Sequence, residues 1–250
     1  MSYSIGIDIG STSAKCVVME DGERLAFKCV IPTGYNSVEA SNRLKLLLAE
    51  AGFPIDDADA IIATGYGRVS VPFATDTITE ITCHGKGAGY LFGEDLTVID
   101  IGGQDTKAVK LVNGRVLKFL MNDKCSAGTG KFLEVMANRL GLEMHELTTL
   151  AASGKPTPIS SMCTVFAESE VIALIGKGCD RQDIARGVID SVINKVVSLV
   201  SKIGGEKYAL TGGLCEEDYI VEALSEALSA PVITSKDARF AGAIGAALSA

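Results

Sequence analysis

Two Asp-Ile-Gly turns hold the residue types that handle phosphate. Asp8-Ile9-Gly10 runs into the hydroxyl cluster Ser11-Thr12-Ser13 and then Lys15, while Asp100-Ile101-Gly102-Gly103 runs into Gln104 and Asp105. Glycine lets the backbone approach an oxyanion, and the N–H groups and hydroxyls of such turns donate to phosphate oxygens. The carboxylates of Asp8 and Asp100 are hard oxygen ligands of the kind Mg²⁺ takes, here through water. Gln104 and Asp105, just past the second turn, could position an attacking water. One such turn alone reads equally well as a capped strand end. Two in the same context, with Thr211-Gly212-Gly213 as a third glycine turn, favour a nucleotide site. The candidate set is therefore Asp8, Asp100, Gln104 and Asp105 for the chemistry. Gly10, Ser11, Thr12, Ser13, Lys15, Gly102, Gly103, Gln104, Thr211, Gly212 and Gly213 would hold the nucleotide.

A second chemistry is suggested by two of the seven cysteines. Cys125 lies in the glycine-rich turn Asn122-Asp123-Lys124-Cys125-Ser126-Ala127-Gly128-Thr129-Gly130, and Cys163 in Met162-Cys163-Thr164-Val165-Phe166, each at the start of a helical pattern. A helix N-terminus stabilises thiolate and any anionic centre that thiolates hold. Two thiolates cannot complete an all-Cys tetrahedral site, whereas a two-fold dimer would supply the four that a [4Fe-4S] cluster needs. The plain alternative is a cysteine packed in the core. Spacing alone leaves both open.

The elements that must position these residues follow a repeated grammar. Ser4 to Gly10 alternates like a strand, Ala14 to Met19 and Leu25 to Val30 form two more, and Asp21-Gly22 supplies a tight turn. A helix from about Ser37 to Ala51 and a strand from Ala58 to Ala63 complete a β-β-β-α-β unit. The pattern restarts at Leu96 to Gly103, with strands at Thr106 to Val112 and Val116 to Leu120 around Asn113-Gly114. Asp8 and Asp100 thus recur about 92 residues apart. Helical periodicity follows at Lys131 to Leu140, Met144 to Ala152, Thr164 to Ile175 and Arg181 to Ile203, a short strand at Tyr208 to Leu210, and a small-residue helix at Phe240 to Ala247.

Composition removes other classes. The 250 residues are 47% hydrophobic, ample for a core, and 23 basic against 31 acidic residues leave a formal charge of −8. A pI near 4.9 without a Lys/Arg stripe argues against nucleic acid. No apolar run approaches the roughly 18 residues of a membrane span. The first residues lack a basic signal region. A cytoplasmic protein without membrane attachment is expected, with its odd, irregularly spaced cysteines outside any disulfide framework. Cys16 reads as core, while Cys29, Cys179 and Cys215 have no matching partner in the sequence. Cys83-His84 is a poor ligand pair because neighbours on a helix seldom reach one ion, and His145 reads as a surface residue. Glu168 and Glu170 suit a helix start, or else a nucleotide-contacting or hinge role, and Lys124 and Lys131 could offset charge near Cys125 or meet an acidic partner surface.

The nucleotide turns resemble those of actin, heat-shock chaperone ATPases and sugar kinases. Gly6 to Thr12 is similar to their first phosphate motif, Ile99 to Asp105 to the second, and Leu210 to Gly213 to the adenosine motif. The resemblance implies an α/β fold of two duplicated ribonuclease H-like lobes that clasp ATP. The N-terminal lobe would be residues 1–93, completed by a C-terminal helix at about 236–250, and the second lobe residues 94–235. Gly128-Thr129-Gly130-Lys131 mimics a P-loop tail, but Phe132 stands where Ser or Thr belongs, and no Gly-x-Gly-x-x-Gly follows the first strand.

Over nearly the whole chain the sequence resembles the archerase-type ATP-dependent activators of 2-hydroxyacyl-CoA dehydratases. These are grouped in the BadF/BadG/BcrA/BcrD ATPase family with benzoyl-CoA reductase ATPase subunits and double-cubane cluster protein reductases. Ala63 to Arg68, Glu80 to Gly85, both phosphate turns, both cysteine segments and the glycine-rich tail carry the likeness. It implies a homodimer sharing one [4Fe-4S] cluster on Cys125 and Cys163 of each subunit, with ATP/ADP and Mg²⁺ bound at the turns. It also implies an anaerobic metabolism, reduced ferredoxin or flavodoxin as donor, and an iron–sulfur dehydratase or double-cubane cluster protein as electron acceptor. The competing expectations are a small-molecule kinase of amino-sugar type, with Asp105 as base, or a nucleotide-switched binding protein. The first leaves the cysteines unexplained, and the second lacks a separate peptide-binding domain.

Overall fold

Alternating isoleucines dictate the first sheet. In the computed structural model, which describes residues 2–159 and 163–250, β1 (Tyr3–Ile9) pairs antiparallel with β2 (Ser13–Glu20), and β2 with β3 (Arg24–Pro32). β1 also runs parallel to β4 (Ala60–Thr64), which is followed by the short β5 (Asp76–Thr77), giving the order β3-β2-β1-β4-β5. Successive strand side chains point to opposite faces. Ile5, Ile7 and Ile9, with Ala14, Cys16 and Val18, therefore pack on Leu44 and Leu48 of α1 (Ser37–Glu50). Val17 and Met19 meet Phe240, Ala243, Ile244 and Ala247 on the other face, the last three from α8 (Ala241–Ala247). Asn36 opens α1 by accepting the Val38 and Glu39 backbone N–H groups at 2.9 and 3.4 Å.

One element here runs against its composition. α2 (Glu80–Phe92) contains Gly85, Gly87 and Gly89, which lower helix propensity, so its extent is not marked by the sequence. It packs backbone to backbone on α8 at one of these glycines: a Cβ on Gly245 would stand 1.8 Å from the Cys83 carbonyl oxygen, and one on Gly87 1.9 Å from that of Ala241. A Cβ on Gly6 of β1 would likewise sit 1.9 Å from the Ala243 carbonyl oxygen. Backbone packs on backbone without intervening side chains. Gly245→Ala is expected to force α8 away and to destabilise the protein by about 1–3 kcal/mol, the range for overpacked cores, read as a lowered urea midpoint. An unchanged midpoint would show that the contact is slack.

The second sheet has the order β10-β9-β6-β7-β8. Its strands are β6 (Leu96–Ile101), β7 (Thr106–Val112), β8 (Arg115–Asn122), β9 (Tyr208–Gly212) and β10 (Val232–Ile233). β9 is parallel to both β6 and β10. Asn113 and Gly114, both at positive φ, make the two-residue turn from β7 to β8. The helices are α3 (Gly130–Leu140), α4 (Met144–Ala152), α5 (Thr164–Gly176), α6 (Arg181–Val200) and α7 (Asp218–Leu228). α6 is central among them, burying Ile184, Val188, Val192, Val196 and Val200 and contacting α3, α4, α5 and α7. The chain divides into two compact units. One comprises Met1–Leu96, Leu111–Lys118 and Lys236–Ala250, and the other Thr97–Lys110 and Phe119–Ser235. Among the described residues no helix is long and apolar enough to cross a membrane.

Candidate functional site

Each unit carries an acidic turn of the same construction. In the first, Asp8 ends β1 with a buried carboxylate and faces Lys15 across the strand pair. The Lys15 ammonium donates to Asp8 Oδ2 at 3.3 Å. Two glycines confine that carboxylate: a Cβ on Gly65, which is held at φ +84°, would come within 2.5 Å of Oδ1, and one on Gly242 within 2.8 Å of Oδ2. The loop between β1 and β2 is braced rather than loose. Gly10 N–H donates to the Ser13 carbonyl at 3.1 Å, Thr33 Oγ1 donates to the Gly10 carbonyl at 2.8 Å, and Thr33 N–H donates to that of Thr12 at 3.0 Å. Ser11 and Ser13 are half-buried and Thr12 is exposed.

In the second unit Asp100 lies at the end of β6, buried to the same degree, opposite Thr211 of β9. Thr211 Oγ1 donates to Asp100 Oδ1 at 2.9 Å, and Lys107 Nζ donates to Oδ2 at 3.3 Å. Lys107 also pairs with Asp105 at 2.7 Å, and its side chain is 1% exposed. Asp105 is thus turned inward, whereas Gln104 beside it is exposed. Gly102 N–H donates to the Asp105 carbonyl at 2.9 Å, and the carbonyls of Gly102 and Gly103 accept from Gly130 and Lys131 N–H at 2.9 and 2.8 Å. The start of α3 is therefore fastened to this turn. Gly212, at φ +84°, lies against the Ile101 backbone, and space is open above the exposed Gly213.

Lys107 is a residue that the sequence reading passes over. The signal was present: Lys107 stands seven residues after Asp100 as Lys15 does after Asp8. Thr64-Gly65, within the Ala63 to Arg68 stretch that carries the family likeness, occupies beside Asp8 the register position that Thr211-Gly212 occupies beside Asp100.

The two cysteine segments meet within the second unit. Cys125 and Cys163 are both exposed, and the residues that follow them are joined by a 2.7 Å hydrogen bond between the Ser126 and Thr164 hydroxyls. Cys163 is the N-cap of α5. Asn122 Nδ2 donates to the carbonyls of Cys125 and Ala127 at 2.9 and 3.0 Å, and Thr106 Oγ1 to that of Gly128 at 2.6 Å, shaping the Cys125 turn. A pocket of about 210 Å³ opens beside Cys125, with Lys195 and Lys202 in its wall. Ser160, Ser161 and Met162, quoted with the Cys163 segment, lie outside the described residues.

The remaining candidates fall elsewhere. Cys83 is in the core with Ile62 and Ala246, where burial pushes its thiol up to about 11 against a smaller downward pull from the Thr64 hydroxyl. His84 is buried on α2 with Nδ1 3.2 Å from the Glu80 carbonyl. His145, largely exposed, meets Glu217 at 3.1 Å. Glu168 pairs with Arg139, and Lys131 with Glu134 at 3.1 Å. Cys16 and Cys29 stand opposite each other, which gives Cys29 the partner that the linear sequence does not reveal.

With this geometry in view, comparison with known proteins is specific. The sequence profile of the BadF/BadG/BcrA/BcrD ATPase family matches residues 5–250. The (R)-2-hydroxyglutaryl-CoA dehydratase activating ATPase of Acidaminococcus fermentans is 42% identical over 249 residues, covering 98% of this chain and 96% of that protein. The crystal structure of component A of the A. fermentans dehydratase superimposes with a TM-score of 0.95 at 41% identity, covering 100% of this chain and 98% of that one. The activator of 2-hydroxyisocaproyl-CoA dehydratase from Clostridium difficile, solved with ADPNP bound, gives 0.93 at 40% identity, covering 99% and 94%. A ROK family glucokinase from Streptomyces griseus, at 12% identity, covers 98% of each chain with a TM-score of 0.64 and shares the fold alone. The fold is thus the two-sheet α/β architecture of the actin-like ATPases and sugar kinases.

Proposed function

The chain belongs to the BadF/BadG/BcrA/BcrD ATPase family, and on that footing we propose that it is an ATP-hydrolysing electron donor to an iron–sulfur partner enzyme. The acceptor class is a 2-hydroxyacyl-CoA dehydratase or a double-cubane cluster protein, with reduced ferredoxin or flavodoxin upstream, in the cytoplasm of an anaerobe. The observation that carries the reading is the pairing of exposed Cys125 and Cys163 segments through Ser126 and Thr164, in the unit that also holds a phosphate-type turn.

The donor set fits a shared cluster. Cys125 and Cys163, both exposed and neither in a disulfide, would give four thiols in a homodimer, the number a [4Fe-4S] centre takes. Lys195 and Lys202 beside Cys125 offset negative charge. When bound, the cluster would supply one-electron chemistry at low potential.

The chain's own residues would do the rest. Asp8 and Asp100 would hold hydrated Mg²⁺, Lys15 and the backbone of Gly10 to Ser13 and Gly102 to Gly103 would meet phosphate oxygens, and Thr211 to Gly213 would bound the adenosine. Gln104, exposed at its turn, orients the attacking water, while Lys107 keeps Asp105 and Asp100 in place. Because Gly102 and Gly103 accept hydrogen bonds from the first residues of α3, a change at the phosphate turn pulls on the segment that begins at Cys125. The nucleotide acts by favouring a second conformation of that segment. The kinase alternative needs an available carboxylate base, and Asp105 is instead held inward on Lys107.

The test is an iron and acid-labile sulfide assay, with mass determination, on anaerobically purified wild type and Cys163→Ala. About four irons and four sulfides per dimer, lost in the variant, are expected. Metal-free wild type that still turns over ATP would overturn the reading.

A further inference from the structure

The strand register points to a site of a different kind, and we propose that Cys16 and Cys29 form a dithiol that hydrogen peroxide converts to a disulfide. Cys16 on β2 and Cys29 on β3 are directly opposed in the antiparallel ladder. Opposed residues in such a ladder have Cα atoms about 4.5 or 5.5 Å apart. Both spacings fall within the roughly 4.4–6.8 Å that a disulfide spans, so the strand register permits closure. The side chains share one face of the sheet, within the cluster around Ile7 and Leu44, and are joined by a thiol–thiol hydrogen bond.

The two thiols differ in the way a peroxide reaction uses. Cys16 is 0% exposed, whereas Cys29 is half-buried on β3, at the edge of its sheet, where a small oxidant can reach it. Burial pushes the Cys16 thiol well up, and the hydrogen bond from Cys16 draws Cys29 down. Cys29 is therefore the attacking thiolate and Cys16 the resolving thiol. In the first step the Cys29 thiolate displaces hydroxide from hydrogen peroxide. An S–O bond forms, the O–O bond breaks, and the sulfur, oxidised by two electrons, becomes a sulfenic acid. In the second step Cys16 loses its proton and attacks Cys29 Sγ. The S–S bond forms, the S–O bond breaks, and the departing hydroxide leaves as water with that proton. The bond would staple β3 to the strand that carries Lys15, one residue from Cys16.

Oxidation of the full-length protein by hydrogen peroxide, with an iron chelator present, followed by alkylation and tryptic mapping, tests this. The expected product in wild type is the linked pair of peptides Cys16–Arg24 and Cys29–Arg43, lighter by two hydrogen atoms and separated again by dithiothreitol. The pair should vanish in Cys29→Ser, whose position on the rim of the cluster leaves the fold intact by circular dichroism. In Cys16→Ala, Cys29 should instead be trapped by dimedone as the sulfenic acid. The proposal is overturned if wild-type Cys29 proceeds to sulfinic acid without the link, or if both thiols stay reduced while exposed Cys179 is oxidised.

Discussion

Lys107→Met is expected to destabilise the protein by about 3–5 kcal/mol, the usual cost of removing one partner from a buried ion pair. Lys107 is among the largest of the fully buried side chains of the described residues, and its ammonium lies 3.3 Å from Asp100 and 2.7 Å from Asp105. Both carboxylates are 3% exposed, so methionine would fill the volume and leave two acidic groups facing each other without their cation. The pseudo-equivalent Lys15 provides the internal comparison. It touches one carboxylate at 3.3 Å, and its side chain is 12% exposed, so water can take over part of its role. Lys15→Met should cost about 1–3 kcal/mol, as for a lost charged hydrogen bond. Urea midpoints of the two variants, measured without nucleotide, decide the matter. Equal losses would mean that the burial of Lys107 adds nothing.

The second large effect is functional. Asp8→Asn should lower ATP turnover about 10²–10³-fold, the range seen when one preorganised electrostatic contact is lost. Asparagine matches aspartate in shape, so the close approaches of Gly65 and Gly242 to the carboxylate are preserved and the fold should survive. What is lost is the charge that would hold hydrated Mg²⁺ and that Lys15 balances. Steady-state phosphate release, with circular dichroism as the control for folding, measures it. Turnover within a few-fold of wild type would remove Asp8 from the nucleotide chemistry.

The duplicated strand grammar was legible because period-2 patterns and Asp-Ile-Gly turns are local signals. β1 to β4 and β6 to β8 lie where alternation puts them. α2 was hard to read for a physical reason: its three glycines argue against a helix until α8 is in place against Gly87 and the Leu111 and Val116 side chains against Gly85. Lys107 was missed because attention to acidic ligands does not ask which cation must accompany two of them in a core. The Cys16–Cys29 opposition depends on the β2–β3 register, which a bulge between Val18 and Met19 shifts by one residue beyond the point that simple counting from the turn would reach. Composition indicated neither the inward turn of Asp105 nor the outward turn of Gln104, since both follow from the Lys107 pair.

The position of α8 has a consequence for biosynthesis. Lys236–Ala250 belongs to the same compact unit as Met1–Leu96, and Ser4 Oγ donates to the Ala247 carbonyl at 2.9 Å across 243 residues of sequence. A ribosome adding about 5–20 residues per second delivers every residue of the other unit before the strand that leads the chain can receive its last helix. During that interval Val17 and Met19 lack the apolar cover that Phe240, Ala243, Ile244 and Ala247 supply, so the half-built first sheet exposes surface that a chaperone would protect.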